Sequence, residues 1–330
     1  AAPVTVFTSP LGEYPCTRIP SASTLPDGTV LAFAECRRWA GDQCFIDGWH
    51  NATREQEFNR SICLRRSSDG GHTWGQLQPN ITARYSANPT AAHDAARGRT
   101  LLFFDDARSG GLYSIASHDS GASWEAPTPL HDDSGVALKG TSGPGNSVVV
   151  LPGGTLLLGV YHANKDVAPN ASFSHANVLR SADGGASWAD VSPREARLPG
   201  GRGFAHLGEP SLTLLPSGAL GLDARCPDGR RPYPGPASPC DCDCRGVAVS
   251  RDNGTTWGGM RYDSSVPDPD CQGAVLGLAN GTLAFSNAAS PSSRTDLSVR
   301  LGSVRGDSVA WSDATPVGGG VAAGYSSLTE

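Results

Sequence analysis

Arginine carries nearly all the positive charge of this chain: of 26 basic residues, only Lys139 and Lys165 are lysines. Such a bias makes the average arginine uninformative, so position has to distinguish one from another. Arg18 lies in "TRIP", Arg225 closes "EPSLTLLPSGALGLDAR" and Arg294 sits in "SSRTDLSVR". A guanidinium is a planar fork that fits a carboxylate, so several converging forks would grip a small molecule with an essential carboxylate. Tyr325, in "GYSSLTE", suggests a second kind of chemistry. A phenol titrates near ~10 and becomes a useful nucleophile only when a neighbouring base takes its proton. Glu209, at the head of "EPSLTLLPSG", is the carboxylate expected to take it.

A repeated fold would bring residues 18 to 325 to one place. One octapeptide, S-x-D-x-G-x-x-W, occurs as "SSDGGHTW" at 67, "SHDSGASW" at 117, "SADGGASW" at 181 and "SRDNGTTW" at 250, and Trp311 ends a degenerate fifth copy. Ser and Asp oxygens can accept from nearby backbone N–H groups, Gly supplies positive φ and Trp covers the hairpin, so a structural turn is expected. A calcium loop would need alternating Asp/Asn ligands and a terminal Glu, which are missing. Interleaved with the octapeptide is a strand–Gly turn–strand unit: "SASTLPDGTVLAFAE", "NPTAAHDAARGRTLLFFDD", "NSVVVLPGGTLLLGVYH", "EPSLTLLPSGALGLDAR" and "CQGAVLGLANGTLAFSN". Strand A, turn, strand B, loop, strand C, octapeptide, strand D is a four-stranded antiparallel meander, and its repetition predicts a β-propeller. With 41 Gly and 25 Pro and no long helix-forming runs, the composition agrees with many short strands. The expectation is all-β: one domain over 1–330, a six-bladed β-propeller whose sixth blade is truncated, because "GYSSLTE" stands where its first strand would start.

In such a meander the starts of A strands and the ends of B strands share one rim. That rim collects Arg18, Glu35 and Arg37; Asn88, Asp105 and Asp106; Asn146 and His162; Glu209 and Arg225; Asn287 and Arg294; and Tyr325. Strand ends are often merely polar and solvated; arginines, carboxylates and a tyrosine within one funnel favour a site.

The four octapeptides, "TRIP", "EPSLTLLPSGALGLDAR" and "GYSSL" together resemble the exo-α-sialidase (neuraminidase) family, closest to the animal lysosomal and cytosolic type, over nearly the whole chain. The resemblance implies retaining hydrolysis of a terminal α-linked sialic acid, with Tyr325 as nucleophile and Glu209 as its base. At an anomeric carbon that already bears a carboxylate, a carboxylate nucleophile would set like charges about 4 Å apart, at a cost on the order of one to several kcal/mol. A neutral phenol avoids this. Arg18 and Arg225 match carboxylate-binding arginines; Arg294 resembles the third, with Arg300 as the alternative. Glu35 resembles the carboxylate that orients them, and Arg37 is expected to help hold the substrate. Asp42, five residues past Arg37, is in register for the general acid/base, with Asp47 in the following insertion as the alternative. Asp105 or Asp106, and the "TSGPGNS" loop with Tyr161 and His162, are candidates for the N-acetyl or glycerol groups, or are structural. The sequence has Thr17 where the family often has an aromatic, and family members continue past the tyrosine to close the ring.

No cofactor is implied, and the expected partner is a sialylated glycoconjugate, with membrane contact only through a glycolipid substrate. A net charge of −6 without a basic tail argues against nucleic acid. Oligomeric state has no sequence signal. Nine cysteines and six Asn-x-Ser/Thr sequons are compatible with the secretory pathway, lysosomal or extracellular, with the cytoplasm as the alternative. "CDCDC" at 240–244 reads better as disulfides than as a metal site, and an odd count leaves at least one cysteine outside intramolecular pairing. Two other functions use the same rim: a sialic-acid-binding propeller without turnover, and a trans-sialidase.

Overall fold

The computed structural model describes residues 3–39, 44, 53–161, 176–193, 207–226, 245–306, 308–318 and 323–330. Their secondary structure is β apart from one short helix, Arg54–Phe58, started by a capping box between Thr53 and Gln56. Five antiparallel sheets follow one another along the chain. In the second and fourth blades the meander is the expected one, Ser86–Asp94, Arg99–Asp106, Leu112–Ser117, Thr128–Pro129 and Gly208–Leu214, Leu220–Arg225, Arg245–Ser250, Arg261–Asp263. The first blade pairs Cys16–Thr24, Val30–Arg37 and Arg60–Ser67, and its fourth strand shrinks to a single bridge between Leu64 and Gln78. The third and fifth blades each gain an extra two-residue strand, Thr141–Ser142 and Thr315–Pro316.

The expectation of six blades is corrected to five among the described residues. Residues 323–330 form no ladder, and a blade exists only where neighbouring strands satisfy one another's backbone groups. Side chains nevertheless join the segment to inner strands on either side. Ser326 N–H donates to Gln272 Oε1 at 2.9 Å, Ala22 N–H to Ser327 Oγ at 3.0 Å and Thr24 N–H to Thr329 Oγ1 at 2.7 Å. The same device links other blades. Ser21 Oγ accepts from Ala91 N–H at 3.2 Å, Thr90 Oγ1 from Ser147 N–H at 3.1 Å, and Ser211 Oγ from Val275 N–H at 3.1 Å.

The octapeptides are the predicted turns. Each Asp accepts from the N–H and hydroxyl four residues on, as Asp69 does from Thr73 at 2.8 and 2.6 Å, while each Ser oxygen accepts from the Gly N–H. Gly121 and Gly254 have φ of +77° and +76°, and a Cβ on either would strike Leu31 or Leu157 of the preceding blade, so two requirements fix the residue type. Trp does more than cover its own hairpin. Trp124 packs edge-on to Phe33, and Trp188 to Phe103, each ring belonging to the preceding blade, at 5.8 and 5.6 Å. Such pairs add about 0.5–1.5 kcal/mol beyond area burial. The apolar core therefore lies between blades, as in the cluster joining Leu101 and Phe103 to Leu156, Leu158 and Trp188. In the degenerate fifth copy Arg305 pairs directly with Ser308, and Trp311 packs at a tilt against Phe285 of its own sheet.

Candidate active site

Three inner strands begin with the same irregularity. The register shifts between Arg18 and Ser21, between Ala87 and Thr90, and between Gly208 and Ser211, so each strand carries a bulge of form X-Pro. X is Ile19, Asn88 or Glu209, with φ of +56°, +52° and +43°. A non-glycine residue in this region costs on the order of 1–3 kcal/mol, and bulges recur where a side chain must be re-aimed. At Glu209 the result is direct. Gly208 lies opposite Arg225 in the ladder, and the bulge turns the next side chain onto that arginine.

Glu209 Oε1 receives both Arg225 Nη1, at 2.7 Å, and the Tyr325 hydroxyl. Arg225 Nη1 also lies 3.3 Å from Tyr325 Oη, and the Arg18 guanidinium stands 5.3 Å over the Tyr325 ring. Burial, then the charge of Glu209, pushes the Tyr325 phenol well above its ordinary value, against the opposing pull of Arg225. The hydroxyl is thus protonated at rest and already hydrogen-bonded to its acceptor. Burial alone would lower Arg225, but the carboxylates of Glu209 and Asp270 outweigh it and raise its pKa. Tyr161, at the end of its strand, has its phenol raised well above its ordinary value by burial and then by the charge of Glu209.

A second carboxylate cluster adjoins the first. Glu35 lies opposite Arg18 in the ladder and is buried, with Oε2 taking Arg37 Nε at 2.8 Å and Arg60 Nη1 at 3.1 Å. Burial would raise its pKa, but Arg37 and Arg60 prevail and hold it at about 2. Asn88 joins this cluster to Asp105, giving its N–H to Glu35 Oε1 at 2.9 Å and its Nδ2 to Asp105 Oδ1 at 2.9 Å. Burial pushes Asp105 up to about 7, against the hydrogen bonds from Asn88 and Ser142 N–H.

The profile of the BNR repeat-like domain family matches residues 44–329. The chain belongs to this family. Among curated relatives of this BNR repeat-like chain, a sialidase of Micromonospora viridifaciens is 26% identical over 324 residues, covering 87% of the chain and 44% of that protein. A sialidase of Paraclostridium sordellii is 23% identical over 197 residues, covering 52% and 45%. The chain thus spans under half the length of these relatives. Among solved structures, the Hadza microbial sialidase Hz136 superposes with a TM-score of 0.73 at 19% identity, covering 97% of the chain and 62% of that structure. The intramolecular trans-sialidase of Ruminococcus gnavus, in complex with oseltamivir carboxylate, gives 0.68 at 16%, covering 96% and 88%. At such identities the structures establish a shared fold.

Within the BNR repeat-like fold, Tyr325, Glu209, Arg225 and Arg18 meet directly, and Arg294 joins by donating from Nη2 to the backbone oxygen of Asp270 at 2.6 Å. Arg300 instead donates to Ser312 O at 3.1 Å. Arg37 is buried against Glu35, and its guanidinium stacks 5.1 Å from the Trp39 ring. Asp106 is taken up by the turn after its strand, accepting from Arg108 and Ser109 N–H at 2.9 and 2.8 Å, so of the two aspartates it is Asp105 that faces the site network. Asp42, Asp47 and His162 lie outside the described residues. Among the described residues no cluster of three or more His, Cys, Asp or Glu is placed for a metal ion, and Cys240, Cys242 and Cys244 lie outside them. Cys16–Cys44 and Cys36–Cys63 are disulfides, Cys226 is disulfide-bonded, and Cys271 is a buried free thiol.

Arg60, Asp268 and Asp270 were not singled out from sequence. Arg60 opens a C strand and pairs with Arg37 in the ladder, so it was findable from the meander. Asp270 sits just ahead of the inner strand Ala274–Gly277, again with positive φ, at the level where the other blades carry Asn88 and Glu209.

Proposed function

We propose that the chain is an exo-α-sialidase that releases terminal α-linked sialic acid from glycoconjugates with retention of configuration. The observation that carries this reading is the Tyr325–Glu209–Arg225 contact, in which a half-buried phenol donates to a buried carboxylate while an arginine spans both. Arg18, Arg225 and Arg294 would take the sugar carboxylate. Tyr325 Oη would bond to the anomeric carbon as its proton passes to Glu209, and the glycosidic oxygen would leave with a proton from Asp42. Water would then displace the tyrosyl oxygen, giving its proton to Asp42 while Glu209 returns the other to Tyr325. Cys44, two residues beyond Asp42, is bonded to Cys16, two residues before Arg18, and this link supports giving Asp42 that role. The disulfides also support an oxidising compartment, lysosomal or extracellular.

A second reading, intramolecular trans-sialidase, is favoured by neighbours so described, including a leech enzyme with 2,7-anhydro-Neu5Ac bound that superposes with a TM-score of 0.68. Incubation with a fluorogenic aryl sialoside and identification of the sugar product separates the readings. Hydrolysis gives free sialic acid, intramolecular transfer the 2,7-anhydro sugar, and a binding propeller neither. Tyr325→Phe is expected to lower kcat at least ~10³-fold. Wild-type turnover in that variant would refute the mechanism.

A further inference from the structure

We propose that Asp270 is a positioning residue that sets Arg225 and Arg294 for the substrate's carboxylate; this rests on the sialidase reading above. One carboxylate oxygen, Asp270 Oδ1, takes both Nε and Nη2 of Arg225 at 2.7 Å, while Nη1 is left to Glu209 and Tyr325. The same residue's backbone oxygen takes Arg294 Nη2 at 2.6 Å, so a single position organises two of the three arginines. Asp270 is buried and holds φ of +57°, a conformation that needs support from its surroundings.

That support comes from its near neighbour. Asp268 Oδ2 accepts from Cys226 N–H, directly after Arg225, and Asp268 Oδ1 from Cys271 N–H, directly after Asp270, both at 2.9 Å. One carboxylate therefore pins the backbone behind both members of the Arg225–Asp270 pair. Asp268 is fixed in turn by Arg245 Nη1 at 3.0 Å, and Arg245, itself buried, is also paired to Asp223.

The arrangement solves a competition. Arg225 lies within reach of two carboxylates, and a guanidinium free to turn onto Glu209 would spend both Nη groups on the carboxylate that accepts from Tyr325. Asp270 holds the Nε edge, so only Nη1 faces Glu209, and the fork stays oriented for an incoming carboxylate. Removing Asp270 should therefore weaken recognition of the ligand's carboxylate specifically.

The test is calorimetric binding of 2-deoxy-2,3-didehydro-N-acetylneuraminic acid and its methyl ester to wild type and Asp270→Asn. Asp270→Gly serves as a second variant that suits the positive φ and keeps the test open should Asn not fold. Wild type should prefer the acid over the ester by roughly 100-fold, and each folded variant should lose about tenfold or more of that preference, through the acid alone. An unchanged acid-to-ester ratio in a folded variant, or an equal loss for both ligands, overturns the positioning role. Wild type that binds neither ligand overturns the sialidase reading instead, and this proposal with it.

Discussion

The octapeptide turns and the rim use the same residue types to opposite ends. In each turn an exposed aspartate finds its donors within four residues. The hydroxyl four positions on and the N–H of the same residue lower Asp119 and Asp252 to about 2. Because all partners are local, the unit can be copied, and four copies have the same geometry. On the rim the carboxylates are buried and draw partners from several strands, both within a blade and across blades, so each has its own environment. Glu35 is held at about 2 by two arginines, whereas Asp105, joined to it through Asn88, rises to about 7. Repetition supplies the scaffold, and the proposed chemistry falls to single side chains set on it, Glu209 and Tyr325, with Asp270 as the proposed positioning residue.

The sharpest way to break this contrast is Glu209→Gln. Gln still accepts the Tyr325 hydroxyl but cannot take its proton, so kcat for an aryl sialoside should fall ~10²–10⁴-fold with KM little changed. A loss under about tenfold would move Glu209 to the structural side.

An intermediate effect is expected at Asp105. Its folded-state pKa of about 7 lies above the unfolded value, so its contribution to stability is fully present below pH ~4 and is lost as pH rises through about 7. In urea unfolding, wild type should therefore lose stability between pH 5 and 8 that Asp105→Asn does not, by an amount on the order of 1 kcal/mol or more. Parallel pH profiles for the two proteins would contradict this.

The smallest effect belongs to the turns. Asp119→Ala removes local hydrogen bonds far from the rim, so Tm should drop by about 2–4 °C, with kcat/KM within about twofold of wild type. A selective loss of activity with unchanged Tm would erase the distinction.

Legibility in the sequence follows the same line. The four octapeptides fixed the meander, and from it the rim positions of Arg18, Glu209, Arg225 and Tyr325, because local turns and period-two strands are written in short windows. The blade count was not legible, since "GYSSLTE" has the register of an inner strand while its bonds to neighbours run through side chains instead of a ladder. Asp106 looked equivalent to Asp105, and Arg300 stood as the weaker alternative to Arg294; what separates them is the turn that takes up Asp106 and the Ser312 oxygen that takes Arg300. Asp270 escaped notice because its partners, Arg225 and Arg294, are distant in sequence.

The most direct test of the chemistry assigned to Tyr325 is to inactivate the protein with a 3-fluorinated sialosyl fluoride, which forms the glycosyl intermediate faster than it is released, and to map the modified peptide by mass spectrometry. The added mass of one fluorosialosyl group is expected on Tyr325, and to be absent from Tyr325→Phe. Turnover without any tyrosyl adduct, or an adduct on Glu209, would contradict it.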